Sequence, residues 1–383
     1  VVSDYEAARS VTLTRNPDYW GADLNFRQGT YNFDEITIDF YGDGDVVLEA
    51  FKAGEISAVR EFNAETWASG YDFPRIDSGA VIKSEIPHQK PSGITGFVLN
   101  TRKAPFDDWR VREALITAFN FEYINDTLTG GAQPRITSYF SNSPLAMQPG
   151  PATGAVADLL APYADTLLPG VMEGYALPEG DGSLRNRRGL RTALGLMEEA
   201  GWTIQDGKMR NANGAPMAFS ILLDQNSSEN RAIADLYMQT LQQMGIDVSV
   251  DLVDGAQFTA RTGVYDFDIT YHRRAMSLSP GNEQYFYWGS KAAIEDGTPN
   301  LMGANDPAID AMIDAMLTAT TREDSIAATR ALDRLLTAGR YVVPFWQFTA
   351  GRIAHVAEMK HPETLPIYGD GPDWMPQFWW YEE

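Results

Sequence analysis

The sequence predicts an α/β chain organised in more than one lobe, and three observations carry that prediction. A length of 383 residues exceeds the size at which a single hydrophobic core usually keeps growing. Between residues 219 and 271, strand-like and helix-like runs alternate in β-α-β-α-β order, which implies a layered sheet with crossover helices. Hydrophobic residues make up 44% of the chain and charged residues 21%, an ordinary globular balance with no long tract too polar to bury a core.

Taken in order, Ser10–Arg15 and Phe33–Phe40 alternate apolar and polar residues as half-buried strands do. Asp45–Glu55 has helical spacing and stops at Gly54, and Ile56–Phe62 returns as a strand. Asn63 is placed to cap a short helix through Ser69, and Ala80–Ile86 and Thr95–Asn100 add two strands. Asp107 or Asp108 caps a long helix whose Val111, Ala114, Leu115, Ala118 and Phe119 form a core-facing stripe.

A Pro- and Gly-rich passage from Pro134 to Gly182 is too long for a turn and is expected to wrap the surface with short elements, as loops lining binding sites often do. Leu190, Leu194 and Met197 resume helical spacing up to Gly201. Gly207–Gly214 separates two candidate strands, and Phe219–Leu223 is a buried-strand run. A helix carrying Ile233, Leu236, Tyr237, Leu241 and Met244, the strand Ile246–Val253, a short helix near Phe258 and the strand Phe267–Tyr271 follow. Ile309, Met312, Ile313, Met316 and Leu317 mark one late helix, and Leu332, Leu335 and Leu336 another. Tyr341–Phe348 reads as a closing strand.

Composition excludes several chemistries. Lys and Arg number 30 against 52 Asp and Glu, a formal charge of −22, and that field disfavours phosphate backbones and anionic lipid, so no nucleic-acid partner is expected. With no cysteine there are no disulfides, thiolate metal sites or cysteine nucleophiles. The four histidines, His88, His272, His355 and His361, have no metal-ligating spacing, and nucleophile-elbow and phosphate-loop motifs are missing. The turn Gly42-Asp43-Gly44-Asp45 lacks a third glycine and sets two carboxylates where a phosphate would lie. Glu198-Glu199 and Asp107-Asp108 read as solvated or capping acids, and Arg185, Arg187, Arg188 and Arg191 as a solvated face. No catalytic residue, metal or cofactor is therefore assigned. The chain opens on Val1, with neither a signal-peptide pattern nor a run of about 18 apolar residues, so an upstream segment is expected to have been removed.

Several segments carry a resemblance. Asn16-Pro17-Asp18-Tyr19-Trp20, Phe51-Lys52-Ala53-Gly54-Glu55, Phe97-Val98-Leu99-Asn100-Thr101 and Ala104-Pro105-Phe106-Asp107-Asp108-Trp109-Arg110-Val111-Arg112-Glu113-Ala114-Leu115 resemble motifs of the extracellular solute-binding proteins of family 5, in the family's order. Asn300-Leu301-Met302-Gly303, Asp306-Pro307-Ala308-Ile309-Asp310 and Tyr341-Val342-Val343-Pro344 are similar to its closing helices and strand. Trp67-Ala68-Ser69-Gly70-Tyr71-Asp72-Phe73-Pro74 and Ser277-Leu278-Ser279-Pro280-Gly281-Asn282-Glu283-Gln284 look like the YejA-like branch, implicated in peptide uptake.

The resemblance implies the two-lobed periplasmic binding protein type II fold, with lobe I at 1–100, lobe II at 101–346 and a return to lobe I at 347–383. Family members carry roughly two hundred further residues ahead of the Asn-x-x-Tyr-Trp turn, so the N-terminal part of lobe I and an accessory domain are expected to be missing. It also implies a periplasmic, monomeric, non-enzymatic component of an ABC importer, which captures an oligopeptide in an interlobe cleft and delivers it to the permease subunits at the inner membrane.

Backbone-like hydrogen bonds and terminal charges would hold such a ligand while its side chains vary. The candidate ligand-binding residues are Arg60, Glu61, Tyr139, Asn226, Arg261, Arg273, Arg274, Ser277, Asn282, Trp346 and Gln347. Ser277 stands where family peptide binders often carry an amine-holding Asp, which leaves Glu283, or another acid nearby, as a substitute. Two other readings stay open: a secreted acidic hydrolase using two carboxylates on carbohydrate, and a binding protein for a non-peptide solute such as an opine or sugar.

Overall fold

A computed structural model describes residues 1–42, 44–370 and 377–382. The chain divides into two compact units, unit 1 from Val1–Lys90 with Phe348–Glu383 and unit 2 from Pro91–Gln347. The first boundary thus precedes Pro91 instead of following Asn100, because the strand over residues 94–99 is hydrogen-bonded inside the sheet of unit 2.

Unit 1 opens with β1 (Val2–Glu6), β2 (Ser10–Thr14) and β3 (Glu35–Asp39), an antiparallel sheet in the order β1-β2-β3. Helix α1 (Gly44–Ala53) buries Leu48, Ala50 and Phe51 and stops at Gly54, whose φ of +86° no side-chain-bearing residue adopts easily. Of the Gly42–Asp45 turn, Asp43 lies outside the described residues, while Asp45 sits in the first turn of α1, where negative charge suits the helix dipole. After β4 (Ala58–Arg60), the Asn63 side chain accepts from Thr66 N at 2.9 Å, as a cap should, but the turn over Thr66–Gly70 is of the wider π type. Next come α2 (Pro74–Asp77) and β5 (Val81–Pro87). The core here is aromatic: Phe51 lies 6.1 Å from Tyr71 and 6.2 Å from Phe73.

In unit 2, β6 (Ile94–Leu99) leads to α3 (Trp109–Ala118), where Asp108 accepts from Arg110 N at 2.8 Å and the expected stripe is buried. Then follow α4 (Phe121–Thr129), α5 (Gly154–Leu160) and α6 (Arg187–Glu199), with Arg185, Arg187, Arg188 and Arg191 exposed. The structure departs from expectation at residues 207–214. β7 (Trp202–Gln205) and β8 (Lys208–Asn211) pair across Asp206-Gly207, both with positive φ, so the supposed separator is itself a hairpin strand.

The rest of unit 2 is β9 (Ala218–Asp224), α7 (Ser228–Gln243), β10 (Asp247–Val253), α8 (Gly255–Gly263), β11 (Ile269–Arg274), α9 (Glu283–Trp288), α10 (Pro307–Thr318), α11 (Arg322–Ala338) and β12 (Val342–Pro344). The sheet order is β10-β9-β11-β6-β12. β9, β10 and β11 are parallel and β6 runs against its neighbours, so the expected crossover layer forms. Alternation along β6 sends Phe97 to an aromatic cluster with Phe345, 4.8 Å away, and Tyr237, while Val98 faces the core holding Trp288, Ile309 and Leu332. β12 is shorter than predicted because the ladder changes partner after Pro344: Ile136 N donates to Phe345 O and Gln347 N to Pro134 O.

The chain then returns to unit 1 as β13 (Ala350–Val356), which inserts between β4 and β5, followed by β14 (Met359–Lys360) paired with β15 (Trp380–Tyr381).

Candidate functional site

Strand register in unit 2 brings the C-terminal ends of β10, β9 and β11, the start of β6 and the end of β12 to one edge of the sheet. Val253 is opposite Asp224, Arg274 opposite Ile94 and Pro344 opposite Gly96. Open α/β sheets bind ligands along such an edge, since side chains and helix N-termini converge there while the strands hold them rigidly. Gly93 enters β6 with φ +65°, and a Cβ on it would fall 1.9 Å from Arg274 O, so only glycine lets the two strand ends lie this close.

The charges along this edge are sorted by strand. Asp224 closes β9 and accepts from Asn226 N at 2.8 Å, while Asp254 follows β10 and caps α8 through Gln257 N at 2.9 Å. β11 ends in Arg273 and Arg274. Arg274 lies over the Tyr287 ring at 3.9 Å, and its Nη2 donates to His272 Nε2 at 2.9 Å and to Pro299 O at 3.3 Å. Burial, then the neighbouring Arg274 charge, push the His272 pKa down to about 4, so at neutral pH the ring is uncharged and serves as the acceptor. Acceptors on β9 and β10 and cations on β11 thus sit within a few strand spacings, an arrangement suited to a solute carrying both charges.

The expected site residues divide between this edge and elsewhere. Asn226, Arg273, Ser277 and Asn282 are exposed, on or just beyond the strand ends. Ser277 Oγ accepts from Ser279 N at 3.0 Å. Partial burial raises the Glu283 pKa, but hydrogen bonds from Gly281 N and the Gln284 amide outweigh it and hold the carboxyl below its usual value. Gln347 receives the Ser141 hydroxyl at 3.3 Å, in a chain of hydroxyls where Ser92 and Ser141 are 2.7 Å apart.

Three expected residues of unit 2 are committed elsewhere. Arg261 is bonded to Asp251 and Asp266, and Asp266 precedes β11, toward the far end of that strand from Arg274. Tyr139 is 6% exposed, edge-on to Trp288 at 5.2 Å, and lines a small pocket of about 30 Å³ with Thr337. Trp346 is 3% exposed beside Phe345. The two aromatic rings find burial and Arg261 finds carboxylate partners, and the sequence pattern alone reveals neither.

In unit 1, Arg60 pairs with the buried Asp370 at 2.8 Å, and Lys90 approaches the same carboxylate at 3.7 Å. Glu61 accepts from Asn63 N at 2.6 Å and from the Tyr71 hydroxyl at 3.3 Å. Among the described residues no group of three or more His, Asp or Glu is placed to hold a metal. No helix among them is long and apolar enough to cross a membrane.

Sequence reasoning missed the buried charges that tie the 134–182 passage down. Asp333 on α11 is fully buried and accepts from Ser138 Oγ at 2.7 Å, Met147 N at 2.8 Å and Phe140 N at 3.2 Å. Burial raises its pKa to about 6 against the lowering effect of those hydrogen bonds. Arg334 holds the carbonyls of Val171, Gln148 and Gly150. The passage is therefore clamped to a helix, and a signal existed: Asp333 lies one turn from Thr329 and Leu336 on the apolar face, where a carboxylate must find donors.

Comparison with known proteins agrees with this architecture. The family described as bacterial extracellular solute-binding proteins, family 5 Middle, matches residues 1–296. A protein of Agrobacterium fabrum named probable peptide-binding protein YejA is 40% identical over 97% of this chain and 60% of its own length. One from the same organism named peptidoglycan-binding protein YepA is 37% identical over 96% of this chain and 60% of its own. Against such curated relatives the chain spans about three fifths of their length. Among solved structures, the oligopeptide-binding protein AppA of Bacillus subtilis with a nonapeptide superposes with a TM-score of 0.70 at 16% identity, covering 100% of this chain and 66% of that one. NikZ of Campylobacter jejuni with Ni(L-His) gives 0.71 at 13%, covering 99% and 66%. At such identities the likeness is one of fold, the mixed α/β fold of periplasmic binding proteins.

Proposed function

We propose that this chain, which belongs to the bacterial extracellular solute-binding proteins of family 5, captures a peptide outside the cytoplasm and passes it unchanged to the permease of an ABC importer. The observation that carries the reading is the 40% identity, over 97% of the chain, to a probable peptide-binding protein. The sheet edge of unit 2 supports it, since Asp224 and Asp254 on one side and Arg273 and Arg274 on the other suit the two charged ends of a short peptide. In this reading Asn226, Ser277, Asn282, Glu283 and Gln347 offer polar contacts at the same edge, and the protein works as a periplasmic monomer that breaks no bond.

A second reading is favoured by the relative named peptidoglycan-binding protein: the peptide would be one released from cell-wall peptidoglycan. Thermal unfolding of the full-length protein with random tripeptides, a peptidoglycan stem peptide or oligosaccharides separates the alternatives, because a ligand that binds the native state raises the midpoint as its concentration rises. Peptide capture requires a concentration-dependent rise with peptide and recovery of the peptide intact. A rise with oligosaccharide alone, or cleavage of the peptide, would overturn it.

A further inference from the structure

The chain enters unit 2 at Pro91 and leaves it at Gln347. Because β6 starts at Ile94 and β12 ends at Pro344, the residues next to both boundaries lie outside those strands. Their backbone groups are satisfied by one segment, residues 134–141. Ser92 N donates to Ser141 O at 2.8 Å and Gly93 N to Tyr139 O at 2.9 Å. On the outgoing side Phe345 O accepts from Ile136 N at 2.9 Å, and Gln347 N donates to Pro134 O at 2.9 Å. The Ser92 hydroxyl adds a bond to Ser138 O at 2.8 Å.

This segment has no helix or strand of its own, so it can hold two lengths of chain only if something holds it. Asp333 on α11 does so. Its buried carboxylate accepts from Ser138 Oγ at 2.7 Å and Phe140 N at 3.2 Å, both in the segment, and from Met147 N at 2.8 Å just beyond it. Arg135, the segment's own charged side chain, donates to Pro178 O within the same 134–182 passage and leaves Nε and Nη2 buried without a partner. An apolar residue at position 333 would need no donors, whereas a buried carboxylate is tolerated only where they converge. Three donors from one irregular stretch meet one carboxylate on a single path of the chain, so the bonds fix that path.

We propose that Asp333 is a positioning residue for solute binding: by fixing residues 134–141 it sets the two stretches at which the chain enters and leaves unit 2, and with them Ser141 and Gln347, which share a hydrogen bond at the sheet edge. Only the effect on affinity rests on the peptide-capture reading. The effect on the two stretches stands apart from it.

The test uses the full-length protein and three variants: Asp333→Asn, Ser138→Ala and, as a control, Leu241→Ala, which empties a fully buried position on α7. Hydrogen exchange at the amides of Ser92, Gly93 and Gln347 reports on the two stretches. Calorimetric titration with the tripeptide of a random pool that most raises the wild-type unfolding midpoint reports on affinity, at a temperature where every variant is folded. Asp333→Asn should speed exchange at the three amides about tenfold beyond the control and weaken binding about tenfold. Ser138→Ala, which removes one donor of three, should change both in the same direction by less. A purely structural role predicts the behaviour of Leu241→Ala, a lowered midpoint with binding unchanged. Should Asp333→Asn fail to fold, Ser138→Ala decides the matter. Exchange no faster than in the control would overturn the proposal, as would faster exchange with unchanged affinity. If no tripeptide stabilises the wild type, peptide capture is overturned, and hydrogen exchange alone decides whether Asp333 sets the two stretches.

Discussion

In unit 2 most large apolar side chains of the strands and helices are covered, whereas in unit 1 many of them are left in water. Among the described residues, fourteen large hydrophobic side chains of unit 1 are exposed, including Trp20 at 84%, Tyr5 at 71% and Ile38 at 45%, against six in the much longer unit 2. An open groove of about 620 Å³ in unit 1 is lined by Ile36, Ile38, Phe40, Ile56 and Val59. β3 alternates apolar and polar residues whereas β9 carries the apolar run Ile221-Leu222-Leu223, and those three are wholly buried while Ile38 is not. A period of two therefore reports that a strand forms, but not that anything covers it.

The comparison can be broken first in the core. Trp288→Ala should cost about 3–5 kcal/mol, since the ring is fully buried, packs on Tyr139 and Tyr287 and bonds Gln284. Ile38→Ala in unit 1 should cost under about 1 kcal/mol. Denaturant unfolding of both variants measures the contrast, and equal losses would erase it.

Buried acids sharpen it. Asp333→Ala strands donors from Ser138, Phe140 and Met147, at an expected cost of about 2–3 kcal/mol. Asp370→Ala removes the carboxylate shared by Arg60 and Lys90, whose side chains are each a quarter exposed and reach water, and should cost only about 1 kcal/mol.

Acidification offers a finer comparison. The folded pKa of Asp333 is raised to about 6, so the native state takes up its proton before the unfolded chain does, and this term adds stability as the pH falls from 6 toward 4. His272 in unit 2 and His88 in unit 1, both lowered to about 4 by burial first, act oppositely: their contribution is present above the unfolded value near 6.5 and is lost on acidification. Asp333→Asn should steepen the acid-side loss of stability by about 1 kcal/mol per pH unit between pH 6 and 4, and His272→Gln should flatten it by a similar amount. Unfolding midpoints at pH 4, 5, 6 and 7 give both slopes. At the small end, Trp20→Ser should leave stability within about 0.5 kcal/mol.

Particular residues show how far the sequence could be read. The stripes of α3, α7, α10 and α11, the cap at Asp108 and the stops at Gly54 and Gly201 were legible, since periodicity and capping act within a few residues. The hairpin at Asp206-Gly207 was legible in principle, because two adjacent positive-φ residues joining short runs is a strong local signal. The strand end at Arg274 was placed three residues early, because register against Ile94 sets it. Tyr139 and Trp346 read as ligand contacts and turned out to be core, since an aromatic ring serves either place equally well.

Within the chain itself, short-range chemistry determined the order of helices and strands, the parallel layer implied by β-α-β-α-β, and the family motifs around Asn100 and Trp109. Tertiary structure alone decided which charged groups are spent and which remain available: Arg261 on Asp251 and Asp266, Arg60 on Asp370, Asp333 on its loop, and Arg274 short of acceptors. Electrostatic pairing depends on distance in space and on removal from water, and neither can be obtained from separation along the sequence.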